Sequence, residues 1–296
     1  MQVLHQFRRF AGHLNNRLRA QIELWGITDR GQRVQRDLLG LADSYPEPAA
    51  AIVKAASGTA SPAEQTWIQR IEELRRQMNA SSELLEVMDY GAVSSNVPLS
   101  EDEMYAGRMI RRTVGQICRV GSKANRAQLL FHLVREVRPL TCIELGTSVG
   151  LSACYQAAAL KLNGAGKLVT LEGADAVASV AARNFSSLGL DNIELVRGRF
   201  QDTLTGVLRA HTSVDYAFVD GHHDEVATMK YFSAIIPALA PNAVIVFDDI
   251  RWSEGMNRAW NVIQHDSHVR VSVDLGCMGL VSTGGAGSPQ HFHTRF

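Results

Sequence analysis

Apolar and polar positions follow two different rhythms, and the change falls near residue 125. Before it the spacing is helical. Leu4, Phe7, Ala11, Leu14, Leu18 and Trp25 recur on one face, with Arg8, Arg9, Arg17 and Arg19 around them. Such a stripe suits a helix that packs on its own domain or on a second subunit, and also a helix lying on an anionic membrane; packing is the commoner use. Ser61-Pro62-Ala63-Glu64 reads as a helix start, with a capping serine and proline at the first helical position, and predicts a helix over 63–79. Trp67, Ile68, Ile71 and Leu74 share its apolar face. Segments 44–48 and 57–61 read as turns. The first hundred residues therefore read as helices and little else, and Asp89–Glu103, polar and glycine-containing, as a long ordered loop or linker.

Beyond residue 125, short apolar runs alternate with helical stretches. Helices are expected over 126–137, 152–162, 174–188, a short piece after Gln201, and 225–239. Apolar runs end at Leu145, Glu172, Val196, Val219 and Phe247. One more helix follows Trp252, and two β-rich stretches, 269–275 and 278–282, close the pattern. Strands alternating with helices of this length make βαβ units and a parallel sheet covered on both faces. The fold class is α/β: a Rossmann-like sheet with helices on both faces, spanning 121–296, preceded by a helical region over 1–120 that caps the sheet domain, drives dimerisation, or both. The expected state is a homodimer. The His291-Phe292-His293 tail reads as loose.

Composition narrows the classes. Formal net charge is zero, which argues against a general nucleic-acid binder, since that needs a basic field for phosphates. No apolar run is long enough to span a bilayer, so stable membrane insertion is not expected. No compact apolar leader is present, so the cytoplasm is the default location. Cys118, Cys142, Cys154 and Cys277 form no CxxC pair, which makes a zinc site a poor reading.

In parallel sheets, ligands bind beyond the carboxyl ends of the strands, so each strand end is a candidate. The first carries Glu144-Leu145-Gly146-Thr147-Ser148-Val149-Gly150-Leu151-Ser152. Glycines there permit tight turning and close approach, and the next helix aims free N–H groups at the loop. By itself the motif is equally a cofactor loop or a structural turn. The second ends in Glu172, which can accept from both ribose hydroxyls of a nucleoside. The third leads into Gly198-Arg199-Phe200-Gln201-Asp202, where Phe200 suits an adenine face or the core, and Gln201 offers a polar edge. The fourth ends in Asp220-Gly221-His222-His223 and the fifth in Asp248-Asp249. Three carboxylates at adjacent strand ends repel one another unless a cation neutralises them, and all-oxygen ligands suit Mg²⁺, Ca²⁺ or Mn²⁺. Alternatively Asp248 or Asp249 caps the next helix and Asp220 alone positions a cofactor. His222 and His223 titrate near neutrality and are candidate bases, or else a surface pair.

Taken in order, these motifs resemble the class I S-adenosylmethionine methyltransferases, from about Ala127 to Trp252. Within them the segment is similar to the metal-dependent catechol and caffeoyl-coenzyme A O-methyltransferases, in particular a bacterial branch with a helical N-terminal extension. The family's ELGxxxGxSA follows a helix and a proline; here Pro139 precedes Glu144 to Ala153. The resemblance implies that Gly146 and Thr147 line the methionine part of the cofactor, that Ser152 meets its carboxylate, that Glu172 holds the ribose, and that the Gly198–Asp202 segment wraps the adenine. Phe200 stands where the family has serine. The resemblance also implies metal ligation by Asp220, Asp248 and Asp249, the last replacing the family's asparagine and adding a negative charge. His223 occupies the place of the family's catalytic lysine, three positions after Asp220. Trp252 matches the tryptophan of the caffeoyl-coenzyme A group's D-N-x-x-W. The implied activity is S-adenosyl-L-methionine-dependent O-methylation of a hydroxylated small molecule, with a divalent cation, Mg²⁺ first, lowering the pKa of the acceptor hydroxyl. Metal-free N- or carboxyl-methylation on the same fold, and a non-catalytic cofactor-binding scaffold, are the alternatives.

Overall fold

The computed structural model describes residues 28–90, 100–121, 123–284 and 288–296. The stripe from Leu4 to Trp25 lies outside the described residues. Eight strands make the main sheet, in the spatial order Gln290–His293 (β10), Val271–Asp274 (β8), Gly279–Ser282 (β9), Leu239–Phe247 (β7), Val214–Val219 (β6), Thr141–Leu145 (β3), Lys167–Glu172 (β4) and Ile193–Arg197 (β5). Five of them, β3 (Thr141–Leu145), β4 (Lys167–Glu172), β5 (Ile193–Arg197), β6 (Val214–Val219) and β7 (Leu239–Phe247), run parallel. β9 (Gly279–Ser282) pairs antiparallel with both β7 and β8 (Val271–Asp274). The two β-rich stretches near the end of the chain thus form strands, with β9 antiparallel to both of its neighbours.

Side chains alternate across the sheet, and the core divides accordingly. On β3, Cys142 joins one apolar cluster while Ile143 and Leu145 join the other. On β6, Tyr216 and Phe218 face the first; Ala217 and Val219 face the second. Helices Ala124–Val137, Leu151–Asn163 and Asp175–Leu188 fill the first side; Phe200–Ala210, Glu225–Ile235 and Glu254–Ile263 fill the second. The helix expected over 225–239 stops at Ile235 and tightens into a 3-10 turn, Ile236–Ala238. Pro237 sits in that turn; it has no N–H to continue the α-helical ladder.

The N-terminal helices extend the first core cluster rather than standing apart: Val34, Leu38, Leu41, Ile52 and Ile71 belong to it and are fully or almost fully buried. The helix Pro62–Ala80 begins as its sequence dictates. Ser61 Oγ accepts from the Glu64 N–H, and the Glu64 carboxylate accepts from the Ser61 N–H, a reciprocal capping box. Glu64 also takes a 2.9 Å ion pair from Arg135 of the helix Ala124–Val137.

Two expectations are corrected. The region before residue 120 is not all helix: β1 (Leu84–Asp89) and β2 (Arg108–Thr113) form an antiparallel ribbon in register Leu84↔Thr113 to Asp89↔Arg108, so Asp89 ends a strand, and Glu101–Ala106 is a short helix. Residues 91–99, the centre of the expected loop, lie outside the described residues. The ribbon escapes a periodicity reading because only Val87 on it is fully buried and β2 reads Arg-Met-Ile-Arg-Arg-Thr. The tail is not loose: β10 (Gln290–His293) pairs in parallel with β8 and makes an eighth strand where seven were expected. Its pairing is long-range and side-chain assisted. Phe292 packs against Gly40, and Thr294 Oγ1 donates to Asp37 at 2.7 Å, so the first described helices hold this strand on the sheet edge.

Candidate active site

The carboxyl ends of β3, β4, β6 and β7 are tied by their own backbone. Gly146 and Thr147 N–H both donate to Leu171 O (3.1 Å each), Asp220 N–H to Leu145 O (2.9 Å), and Asp248 N–H to Val219 O (3.0 Å). The turn after β3 is tight: Gly146 has φ +105° and passes so close to the Asp220 carbonyl that no Cβ fits there. A cavity of about 740 Å³ opens over these strand ends. Ser148, His222, His223 and Asp249 line it and all carry positive φ, four of the six non-glycine residues that do among the described residues. Backbone in that region costs energy for such residues and is held only by its surroundings.

Ten of the expected site residues meet in this cavity: Gly146, Thr147, Ser152, Glu172, Phe200, Asp220, His222, His223, Asp248 and Asp249. Two do not. Gln201 is exposed on the helix Phe200–Ala210, away from the lining. Glu144 is fully buried behind the glycine loop. It accepts from Thr170 Oγ1 (2.5 Å), Gln156 Nε2 (2.7 Å) and the Ser152 hydroxyl, and Thr170 Oγ1 lies 2.6 Å from Thr147 Oγ1. Burial nonetheless pushes its carboxyl up to about 7. Glu144 therefore acts on the loop through Thr147 and Ser152 rather than lining the cavity.

Glu172 is held by backbone. Ser148 N–H and Ala174 N–H donate to its two oxygens at 2.8 Å each, holding down a pKa that burial raises. Gly173 N–H also bonds this carboxylate, which leaves about one of its roughly four acceptor positions for a ligand. The helix Leu151–Asn163 begins at Gly150, left-handed and without a side-chain cap, so its first N–H groups are free to meet an anion.

The two histidines separate. His222 Nδ1 bonds Tyr231 Oη at 2.8 Å, and its ring packs edge-on against Phe200 at 5.5 Å. Its Nε2 is buried without a partner, and burial lowers its pKa to about 4. Phe200 in turn packs on Tyr231 at 5.8 Å, so the aromatic that replaces the family's serine builds a wall. His223 instead faces the carboxylates: Nε2 is 3.7 Å from Asp220 Oδ1 and Nδ1 is 4.0 Å from Asp249 Oδ2, with the Trp252 ring 5.7 Å away. Burial lowers its pKa, against the pull of Asp249.

Arg126, from the first turn of the helix Ala124–Val137, reaches the carboxylates. Its Nη1 donates to Asp248 Oδ1 at 2.9 Å and to Asp249 Oδ1 at 2.7 Å. Burial works against the guanidinium charge, but the two aspartates outweigh it and hold the pKa up. One cation is shared among three acids. Burial, with Asp249 beside it, therefore still pushes Asp248 up to about 6, and burial with Asp248, Asp249 and Glu144 nearby raises Asp220 well above the usual range. Among the described residues no three His, Cys, Asp or Glu side chains are grouped to hold a metal ion.

The other wall comes from the ribbon, through Val87, Asp89, Tyr90 and Arg112, and from the helix Val114–Val120. The Tyr90 ring lies over Gly173, where a Cβ would approach it to 2.9 Å. Neither Tyr90 nor Arg126 is marked by spacing or motif, since each acquires its place through partners far along the chain.

Comparison with known proteins fits this arrangement. A family described as a methyltransferase domain matches residues 143–250. A catechol O-methyltransferase of Niastella koreensis is 29% identical over 128 residues, 43% of this chain and 56% of that enzyme. The chain thus spans little more than half the length of that curated relative. The O-methyltransferase of Bacillus cereus in complex with SAH superposes with TM-score 0.50 and 18% identity, covering 73% of this chain and 90% of that one. An O-methyltransferase assigned as such in Klebsiella pneumoniae superposes with TM-score 0.50 and 18% identity, covering 76% and 91%. At these identities the two structures establish the fold. No helix among the described residues is long and apolar enough to cross a membrane.

Proposed function

From the premise that the chain carries a class I S-adenosylmethionine-dependent methyltransferase domain of the catechol and caffeoyl-coenzyme A O-methyltransferase type, we propose that the protein transfers the sulfonium methyl of S-adenosylmethionine to an oxygen of a hydroxylated small molecule. The observation that carries this reading is the convergence of ten strand-end residues on one cavity, with acceptors for a ribose at one side and a base at the other.

In this reading the free N–H groups at the start of the helix Leu151–Asn163 take the methionine carboxylate, beside Gly146 and Thr147. Glu172 takes the ribose hydroxyls. Phe200 and the unpartnered His222 Nε2 meet the adenine, which leaves His222 with a binding role. His223 is the base: it faces Asp220 and is neutral at physiological pH, so it can accept the acceptor hydroxyl's proton. The methyl donor is already electrophilic, so alignment of oxygen, methyl carbon and sulfur supplies much of the rate.

The divalent cation implied by the family is the part this site supports least. Asp220, Asp248 and Asp249 supply oxygens, but Arg126 already spans two of them. As placed, the donor set does not fit a three-carboxylate metal cage, and no step above needs one.

Calorimetry with S-adenosylhomocysteine, followed by transfer of labelled methyl to a panel of catechols, phenols and hydroxy acids, tests the proposal. Cofactor binding with label recovered as a methyl ether is the expected result. Label on nitrogen or carboxylate, or no transfer despite binding, would overturn it in favour of the two alternatives named above.

A further inference from the structure

Asp249 brings to the site a third carboxylate where the family has a neutral asparagine, and Arg126 brings a guanidinium directly onto it. The added carboxylate and the guanidinium sit 2.7 Å apart and cancel in charge. Arg126 Nη1 bridges one oxygen of Asp248 and one of Asp249, and its side chain is 17% exposed, on the cavity side. A Mg²⁺ or Mn²⁺ sharing those two oxygens would need to lie about 2 Å from each, on top of the Nη1 position. Two cations do not share that point. Asp248 Oδ1 is further committed, since it accepts the Asp249 backbone N–H at 2.8 Å.

We infer that Arg126 is the resident cation of this site and takes the place of a divalent metal, holding Asp248 and Asp249 and presenting its remaining N–H groups to the acceptor oxygen. The inference rests on the methyl-transfer reading for the oxygen it serves. Both Nη1 hydrogens are spent on aspartates, and no other hydrogen bond of the guanidinium is formed within the described protein. In the reaction the acceptor O–H bond breaks and its proton passes to the neutral His223 imidazole. The oxygen electron pair forms the new O–CH₃ bond, and the C–S pair returns to sulfur, leaving a neutral thioether. The imidazolium then loses its proton to water. Arg126 stabilises the oxygen as its negative charge develops, a task for which a fixed guanidinium is suited because it cannot be deprotonated there.

Mn²⁺ alone is the probe, followed by electron paramagnetic resonance of the free ion titrated with the full chain. This readout needs no turnover, so it can fail or succeed independently of the methyl-transfer assay. The wild-type protein is expected to retain no Mn²⁺ at sub-millimolar concentration and to keep its full rate in a chelator. The double substitution Arg126→Ala with Asp249→Asn, which restores the family's pair and removes the guanidinium from both side chains, should retain one Mn²⁺. Arg126→Ala alone should lower kcat by about 10²-fold or more, with S-adenosylhomocysteine affinity unchanged; Arg126→Lys, which keeps charge but loses the fork, should fall between. Stoichiometric Mn²⁺ binding by the wild type, or loss of turnover in a chelator restored by Mg²⁺, would overturn the inference. Should the alanine variants fail to fold, the wild-type titration still decides.

Discussion

Glu144 offers the sharpest quantitative test of how this site is built. It is fully buried on β3, with three donors around one carboxylate, and burial still pushes it up to about 7 from an ordinary 4.5. A carboxyl whose folded pKa is raised holds its proton more tightly folded than unfolded. Its contribution to stability is therefore complete below about pH 4.5 and is lost as pH rises to about 7. At about 1.4 kcal/mol per tenfold change, the loss approaches ~3 kcal/mol, a large fraction of a typical domain's stability. Glu144→Gln keeps the shape and removes the titration. Its new amide N–H has a partner at hand, because Gln156 Oε1 is buried without one. Other groups tilt the wild-type curve the opposite way: His132, buried and lowered to about 4, stabilises the fold increasingly as pH rises toward its ordinary value. The quantity to read is thus the difference between variant and wild type, from urea unfolding at steps from pH 4.5 to 8.5. Stability of Glu144→Gln relative to wild type should climb by ~3 kcal/mol across that range, then level off. A difference that stays flat, or falls with pH, would refute the assignment of a buried, proton-holding carboxyl.

Two further outcomes test the cavity itself. Gly146→Ala forces a Cβ against the Asp220 carbonyl oxygen at φ +105°, so unfolding stability should drop by on the order of 3 kcal/mol and S-adenosylhomocysteine binding by calorimetry should be lost; unchanged binding would show that the turn is not cofactor-shaped. His223→Asn should reduce kcat by about 10²- to 10⁴-fold and erase the acid limb of the rate profile. That limb in the wild type should show activity lost as pH falls through the His223 pKa, which burial holds below the usual histidine value; an unaltered profile assigns the base elsewhere.

The parallel sheet was legible because every βαβ unit announces itself locally. The ends of β3, β4, β6 and β7 were read to the residue, and the helix Pro62–Ala80 was marked by its cap, since capping residues and apolar runs are properties of a few neighbouring positions. What escaped was decided at long range. The ribbon Leu84–Asp89 with Arg108–Thr113 is stabilised by pairing and by Leu85, Val87 and Ile110 packing on the core, too few buried positions to imprint a period of two. β10 is a strand because β8 offers an open edge and Asp37 anchors Thr294.

The same distinction divides the site. Residues at the strand ends and the helix starts just beyond them are placed by those elements, so ten could be named from the order of the motifs and the resemblance it carries. Glu144 and Gln201 occupy the right segments, yet one points into the core and the other to solvent: a one-residue change of direction that motif spacing cannot encode. Arg126 is the converse case. It precedes the motifs and pairs with partners 122 and 123 positions later, so its role exists only once the helix Ala124–Val137 is laid against the sheet. A family pattern transfers ligand types position by position, but the charge at a site is a sum over everything folded into it. An aspartate substituted for asparagine reads in sequence as a stronger metal ligand. With a guanidinium 2.7 Å away it is the partner that holds the arginine in place, and the extra negative charge argues for a different cation rather than a tighter one.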